Sequence, residues 1–93
     1  MQQQPGPDIY HDAIRQIFGH HQAVRGAALP PGIRKNLARG KPLPPGLAHR
    51  VGGPLARDLP YYPGYDWYLA GTDAVLVDAY TRVIVDVIDR VLR

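Results

Sequence analysis

The chain has 93 residues, a formal net charge of +3 and 45% hydrophobic residues, which bounds it to one domain with a modest core. It has no Cys, no Ser and no Glu, which excludes disulfides, thiolate or zinc–thiolate chemistry and a Ser–His–Asp nucleophile, and makes every side-chain carboxylate an Asp. No apolar run reaches the roughly 18–20 residues of a membrane-spanning helix, and no charged-then-apolar leader is present.

Residues 1–7, rich in Gln and Pro, read as a disordered tail, with an export signal or anchor expected outside this sequence. Residues 8–93 read as a single small domain. Its first element is an amphipathic helix over residues 8–22. Tyr10, Ala13, Ile14, Ile17 and Phe18 make one apolar stripe at i, i+3, i+4, i+7 and i+8. Asp8 is the candidate N-cap, and Gly19 should end the helix near His20.

Residues 29–64 hold most of the chain's 10 Pro and 10 Gly. Leu29-Pro30-Pro31-Gly32-Ile33 returns as Leu43-Pro44-Pro45-Gly46-Leu47, and Leu59-Pro60 to Gly64 is a degenerate third copy. Ile33 with Leu37, and Leu47 with Val51, are i, i+4 pairs. Each unit therefore reads as an extended lead-in followed by a short helix. Gly40 stops the first helix and Gly52-Gly53-Pro54 the second. The apolar spacing favours packing over a free proline-rich ligand, with Leu37 and Leu47 buried and Arg34, Lys35 and Arg39 exposed.

Residues 65–88 alternate with period two in three runs, separated by turns at Gly71-Thr72-Asp73 and Ala79 to Arg82, and read as a three-stranded antiparallel β-meander. Tyr65, Trp67, Leu69 and one set of valines should face the helix. The last strand has apolar residues on both faces, so both faces of the sheet are expected to be partly buried. A short helical turn is expected through Leu92. The fold class is α+β: an N-terminal amphipathic helix, a Pro-rich wrap with two short helices, and the meander. The expected core is Ile14, Ile17, Phe18, Leu37, Leu47, Trp67, Leu69, Val75, Val77 and Val85.

These motifs resemble the CigR-type members of the RcnB-like family, which includes proteins described as anti-virulence regulators and as nickel/cobalt transporter regulators. The resemblance covers residues 29–88. It is carried by the two Leu-Pro-Pro-Gly units, Lys35-Asn36-Leu37-Ala38-Arg39-Gly40-Lys41-Pro42, Tyr62-Pro63-Gly64-Tyr65, Trp67, Gly71, Asp73, Val75-Leu76-Val77 and Val83-Ile84 with Asp86-Val87. It implies a periplasmic or envelope location, a regulatory or interaction role and no catalytic residues. Two positions depart from the pattern. Val51-Gly52-Gly53 breaks the second unit, and Thr81-Arg82 replaces Thr-Gly, so that turn is expected to avoid the positive φ that Gly permits.

Charge is unevenly placed. Arg25, Arg34, Lys35, Arg39, Lys41, Arg50 and Arg57 share residues 22–57 with no acid, while Asp58, Asp66, Asp73, Asp78, Asp86 and Asp89 outweigh Arg82, Arg90 and Arg93 beyond. The halves read as parts of one domain that attract each other, with Arg34, Lys35, Arg39, Lys41 and Arg50 as the candidate partner- or anion-binding set. These cations are segregated from the aromatics, so no nucleic acid is expected; an anionic lipid surface is the better anionic partner. A metal could be held at Asp8, His11 and Asp12, which share one helix patch, but no converging His set is visible. The other aspartates read as solvated or turn-bonding, so neither an enzyme nor a cofactor is expected. The function read from the sequence is a non-catalytic envelope module that binds a protein partner at the membrane. The alternatives are nickel/cobalt homeostasis and an anionic-membrane adaptor. Homodimerisation through a sheet edge is a further expectation.

Overall fold

The computed structural model describes residues 9–21, 37–44, 46 and 48–92. Asp8, Arg34, Lys35 and Leu47 lie outside these residues.

Helix α1 runs His11–Gly19. Ile14 and Phe18 are buried and Ile17 is partly buried, whereas Tyr10 is 77% exposed, so the buried stripe is narrower than the sequence pattern. The N-cap is Tyr10, in extended backbone with no side-chain cap, rather than Asp8. The first turn is held from outside the helix instead, by a bond from His11 to Asp86.

The sheet has four antiparallel strands, not three, in the order β1-β2-β3-β4: Ala48–Arg50, Tyr65–Ala70, Asp73–Asp78 and Ile84–Ile88. The added strand comes from the second Leu-Pro-Pro-Gly unit, where a short helix was expected. A single i, i+4 pair cannot nucleate a helix. The open edge of β2 offers these residues backbone partners, with Ala48 opposite Ala70 and Arg50 opposite Tyr68. Gly52-Gly53-Pro54 does not stop a helix but starts one, α2 at Gly53–Asp58, with Pro54 in the first turn where its missing N–H leaves no bond broken. Most of the first expected short helix, residues 32–36, lies outside the described residues, and Leu37 to Gly40 is not helical. It bends into a turn, with Gly40 at a φ of 84° and Lys41 N–H donating to Ala38 C=O at 3.1 Å.

Strands β2 and β3 are joined by Gly71-Thr72, with a φ of 65° at Gly71. Positive φ at the first of two turn residues is the hairpin geometry that Gly favours. Between β3 and β4, Leu76 faces Asp86 and Val77 faces Ile84, so Val85 is the extra residue of a bulge. That hairpin closes around Asp78, whose carboxylate accepts from Tyr80 N–H at 2.8 Å and Thr81 N–H at 3.0 Å. Those backbone bonds, Thr81 first, hold the Asp78 carboxyl below its ordinary range. With the folded value depressed, the turn's contribution is complete above the unfolded value of 3.8 and is lost as pH falls through the lower folded value. An acid titration of stability should therefore steepen in Asp78-containing protein relative to Asp78→Asn.

Arg82 adopts a φ of 65°, contrary to the expectation that this turn would avoid positive φ. Left-handed backbone costs a non-glycine residue about 1 kcal/mol, and here two contacts offset it. Arg82 N–H donates to Asp78 C=O at 2.8 Å, and the guanidinium carbon lies 5.5 Å from the Tyr68 ring centroid. Arg82→Ala keeps the strain and loses the cation–π contact, so it should cost about 0.5–1 kcal/mol, whereas Arg82→Gly should be near neutral. Urea midpoints of the two variants check this.

Both faces of the sheet are buried. One carries Trp67, Leu69, Ala74, Leu76 and Ile88 and is covered by Ile14 and Phe18 of α1 and by Leu55 and Leu59. Val85 is partly buried against this cluster. Val75 and Val77 lie on the other face with Ala70 and Ile84, beneath Leu37 and Leu43. Val75 and Val77 thus do not share a face with Tyr65, Trp67 and Leu69, whereas Val85 does. Trp67 keeps its indole N–H satisfied by Pro60 C=O at 3.1 Å, which ties the loop before β2 to the core. After β4 the chain bends instead of forming a helical turn. Arg90 takes a φ of 53°, its N–H donates to the buried Asp73 carboxylate at 3.0 Å, and Val91 N–H reaches Thr72 C=O at 2.9 Å.

Candidate binding surface

The chemistry-bearing side chains meet at Asp86. It sits at the bulge of β4 and is only 5% exposed, although its neighbours in sequence are apolar. A carboxylate in that position must have its oxygens hydrogen-bonded, because burying an unpaired polar group is costly. Oδ2 accepts from His11 Nε2 at 2.9 Å. Oδ1 accepts from Arg39 Nε and a terminal guanidinium nitrogen at 3.2 and 3.1 Å, and from Val87 N–H at 2.9 Å. One buried charge thus joins α1, the end of the first Leu-Pro-Pro-Gly unit and the sheet. No buried side-chain nitrogen or oxygen lacks a partner among the described residues.

The remaining charges are largely paired in the same way. Arg15 binds Asp12 at 3.0 Å and also Asp89, accepted by both its carboxylate and its carbonyl. Arg15 is the main cause holding the Asp89 carboxyl below its ordinary range. His21 Nε2 lies 2.7 Å from Asp58, linking the ends of α1 and α2. Arg50 binds Asp66 across the β1–β2 pair at 3.0 Å. Of the candidate basic set, Arg39 and Arg50 are therefore committed to aspartates of the acidic half. Lys41 is exposed with no carboxylate in ion-pair range among the described residues, and Arg34 and Lys35 lie outside them.

Two residues of the helix patch suggested for metal bond other side chains. His11 turns to Asp86, Asp12 to Arg15, and Asp8 is outside the described residues. Among the described residues no three His or Asp side chains are placed to share a metal ion. Asp86 was read as part of a solvated face. The available signal was a lone acid inside the apolar run Val83 to Ile88, but the bulge that turns it inward leaves no mark in the alternation.

The two sheet edges differ. Along β4, Ile84 N–H donates to Lys41 C=O at 2.9 Å, Gly40 N–H to Ile84 C=O at 2.8 Å and Leu43 N–H to Arg82 C=O at 3.1 Å. Further along, Val87 N–H is met by Asp86 and Asp89 C=O by Arg15. At β1, Val51 N–H donates inward to Trp67 C=O at 3.0 Å, so by alternation the backbone groups of Ala48 and Arg50 point to the open edge.

Two of the large exposed aromatics, Tyr61 and Tyr80, lie on loops at the end where β2 begins and β3 ends, whereas Tyr10 stands at the start of α1. Ala79 N–H donates to Gly64 C=O at 2.9 Å, which lays the loop before β2 beside the β3–β4 turn. Tyr61 and Tyr80 on these two loops are 82% and 94% exposed. Arg82 belongs to the same turn, and the antiparallel pairing of Pro42 with Val83 sets Leu43 opposite Arg82 and Lys41 opposite Ile84, two residues further along.

A sheet buried on both faces, covered by two helices on one of them and knit by internal ion pairs, defines a small α+β scaffold. No protein-family model matches the chain, and no curated protein matches it. Among solved structures it is similar to the C-terminal domain of inner membrane protein CigR from Salmonella enterica, at 42% identity over 87% of this chain and 84% of that one, with a TM-score of 0.72. The chain belongs to the CigR family. No helix among the described residues is long and apolar enough to cross a membrane.

Proposed function

We propose that this chain is a non-catalytic module of the bacterial envelope, held at the periplasmic side of the inner membrane, that regulates a membrane-associated protein by binding it. The observation that carries this reading is the similarity to a domain of an inner membrane protein over most of both chains. The internal pairing of the aspartates with Arg and His agrees with it, since those groups serve the scaffold while tyrosines and cations stand outside. A photo-crosslinking residue placed at exposed surface positions in envelopes tests it. The expected result is one protein adduct of constant mass from a contiguous set of positions; adducts spread evenly over the surface, or none, would remove the reading. A second copy of the chain would pair through the open edge of β1.

Nickel or cobalt handling would need His11 free for a metal, and His11 is bonded to Asp86. Calorimetric titration with Ni²⁺ and Co²⁺ is expected to show no binding that depends on His11. Micromolar affinity lost in His11→Ala would reverse that conclusion.

A further inference from the structure

We propose that the tyrosine-bearing end of the sheet is a membrane-contact surface, on which Tyr61 and Tyr80 enter the headgroup layer of an anionic bilayer while Lys41 and Arg82 meet lipid phosphates. The inference rests on the reading that the domain lies at the inner membrane, and it adds the surface and the chemistry of what it touches. Exposure and side-chain chemistry carry it. The two tyrosines stand on neighbouring loop tips with almost no cover from the rest of the chain. Tyr is the side chain that partitions to the water–bilayer boundary, its ring in the apolar layer and its hydroxyl among headgroups.

Charge supports an anionic surface. Lys41 has no carboxylate partner among the described residues, and Arg82 rests on the Tyr68 ring rather than on an acid. The carboxylate of the same turn, Asp78, is spent on the turn amides of Tyr80 and Thr81. Asp66 is paired with Arg50. Each unpaired cation near an anionic surface contributes about 1 kcal/mol of attraction, so the contact is weak alone and gains from a tether that keeps the domain close.

Co-flotation of the full chain with vesicles tests the proposal. Vesicles of roughly one-third phosphatidylglycerol in phosphatidylcholine should carry the protein up, and pure phosphatidylcholine should not. Tyr61→Ser with Tyr80→Ser, and separately Lys41→Gln with Arg82→Gln, should each cut flotation at least about fivefold, with far-ultraviolet circular dichroism and the melting transition showing that each variant is folded. The tyrosine pair is the cleaner arm, because both rings are solvent-exposed. No flotation of the wild type, equal flotation on neutral vesicles, or flotation unchanged in both variants would overturn the proposal. So would a crosslink from position 80 to protein alone in envelopes. In any of these cases a constant protein adduct elsewhere on the surface would leave the envelope-module reading standing.

Discussion

Phe18→Ala is expected to lower the stability of the domain by about 3–4 kcal/mol. Phe18 is 1% exposed and, with Ile14, is the part of α1 that fills the core against the sheet, Leu55 and Leu59. Truncating a fully buried aromatic removes its transfer free energy and leaves a cavity that the surrounding strands cannot close. A domain of this size has a total stability of about 5–10 kcal/mol, so the loss is a large share of it. Denaturant unfolding should show a lower midpoint with a smaller slope as well, if α1 undocks before the sheet unfolds. An unchanged midpoint would mean that α1 contributes little to the core.

Asp86→Ala should cost about 2 kcal/mol, the scale of losing charge-assisted hydrogen bonds from one buried carboxylate. The full penalty of stranding a buried partner does not apply, because the Arg39 side chain is 64% exposed and can rehydrate. Arg39→Ala should cost a similar amount, about 1–3 kcal/mol, because it leaves the buried carboxylate with only His11 and the Val87 N–H. The carboxylate is the hub and its partners are spokes, so losing the main spoke strands the hub. A second readout is local. Once Asp86 is gone, trypsin should cut after Arg39 several-fold faster than in the wild type, because that guanidinium is then unpinned. Equal cleavage rates would show that the backbone pairing of Gly40 and Leu43 with β4 holds the segment without the ion pair.

The helix and the three long strands were legible before any coordinates. Ile14 and Phe18 stand four residues apart, and Trp67 and Leu69 stand two apart, so each spacing already states how the backbone must turn to bury them. The expectation that both sheet faces are covered came from the last strand, where Ile84 and Ile88 are apolar as well as the valines between them. The attraction between the basic and acidic halves was also readable as a preference, and the Arg39–Asp86 and Arg50–Asp66 pairs realise it. Which cation meets which acid was not readable, because pairing depends on distances between segments that are remote in the chain.

The errors have one origin. Residues 47–51 carry a weak helical spacing, and Ala48 to Arg50 became a strand because the edge of β2 was available to them. Gly52-Gly53-Pro54 has the composition of a stop, yet Pro54 is just as well suited to the first turn of a helix, and burial of Leu55 decided for the helix. Arg82 was expected to avoid positive φ on local grounds, and the Asp78 turn bonds with the Tyr68 ring overrode that preference.

The sequence by itself determined where apolar periodicity is strong, hence α1, β2, β3, β4 and most of the core. Its paired Leu-Pro-Pro-Gly units also placed it in a family. Only the tertiary structure decided the fourth strand, the second helix, the inward turn of Asp86 and the gathering of Tyr61, Tyr80 and Arg82 at one end. Periodicity records what each segment must bury, whereas a three-residue strand, a buried charge and a surface patch are stabilised by partners that other segments bring.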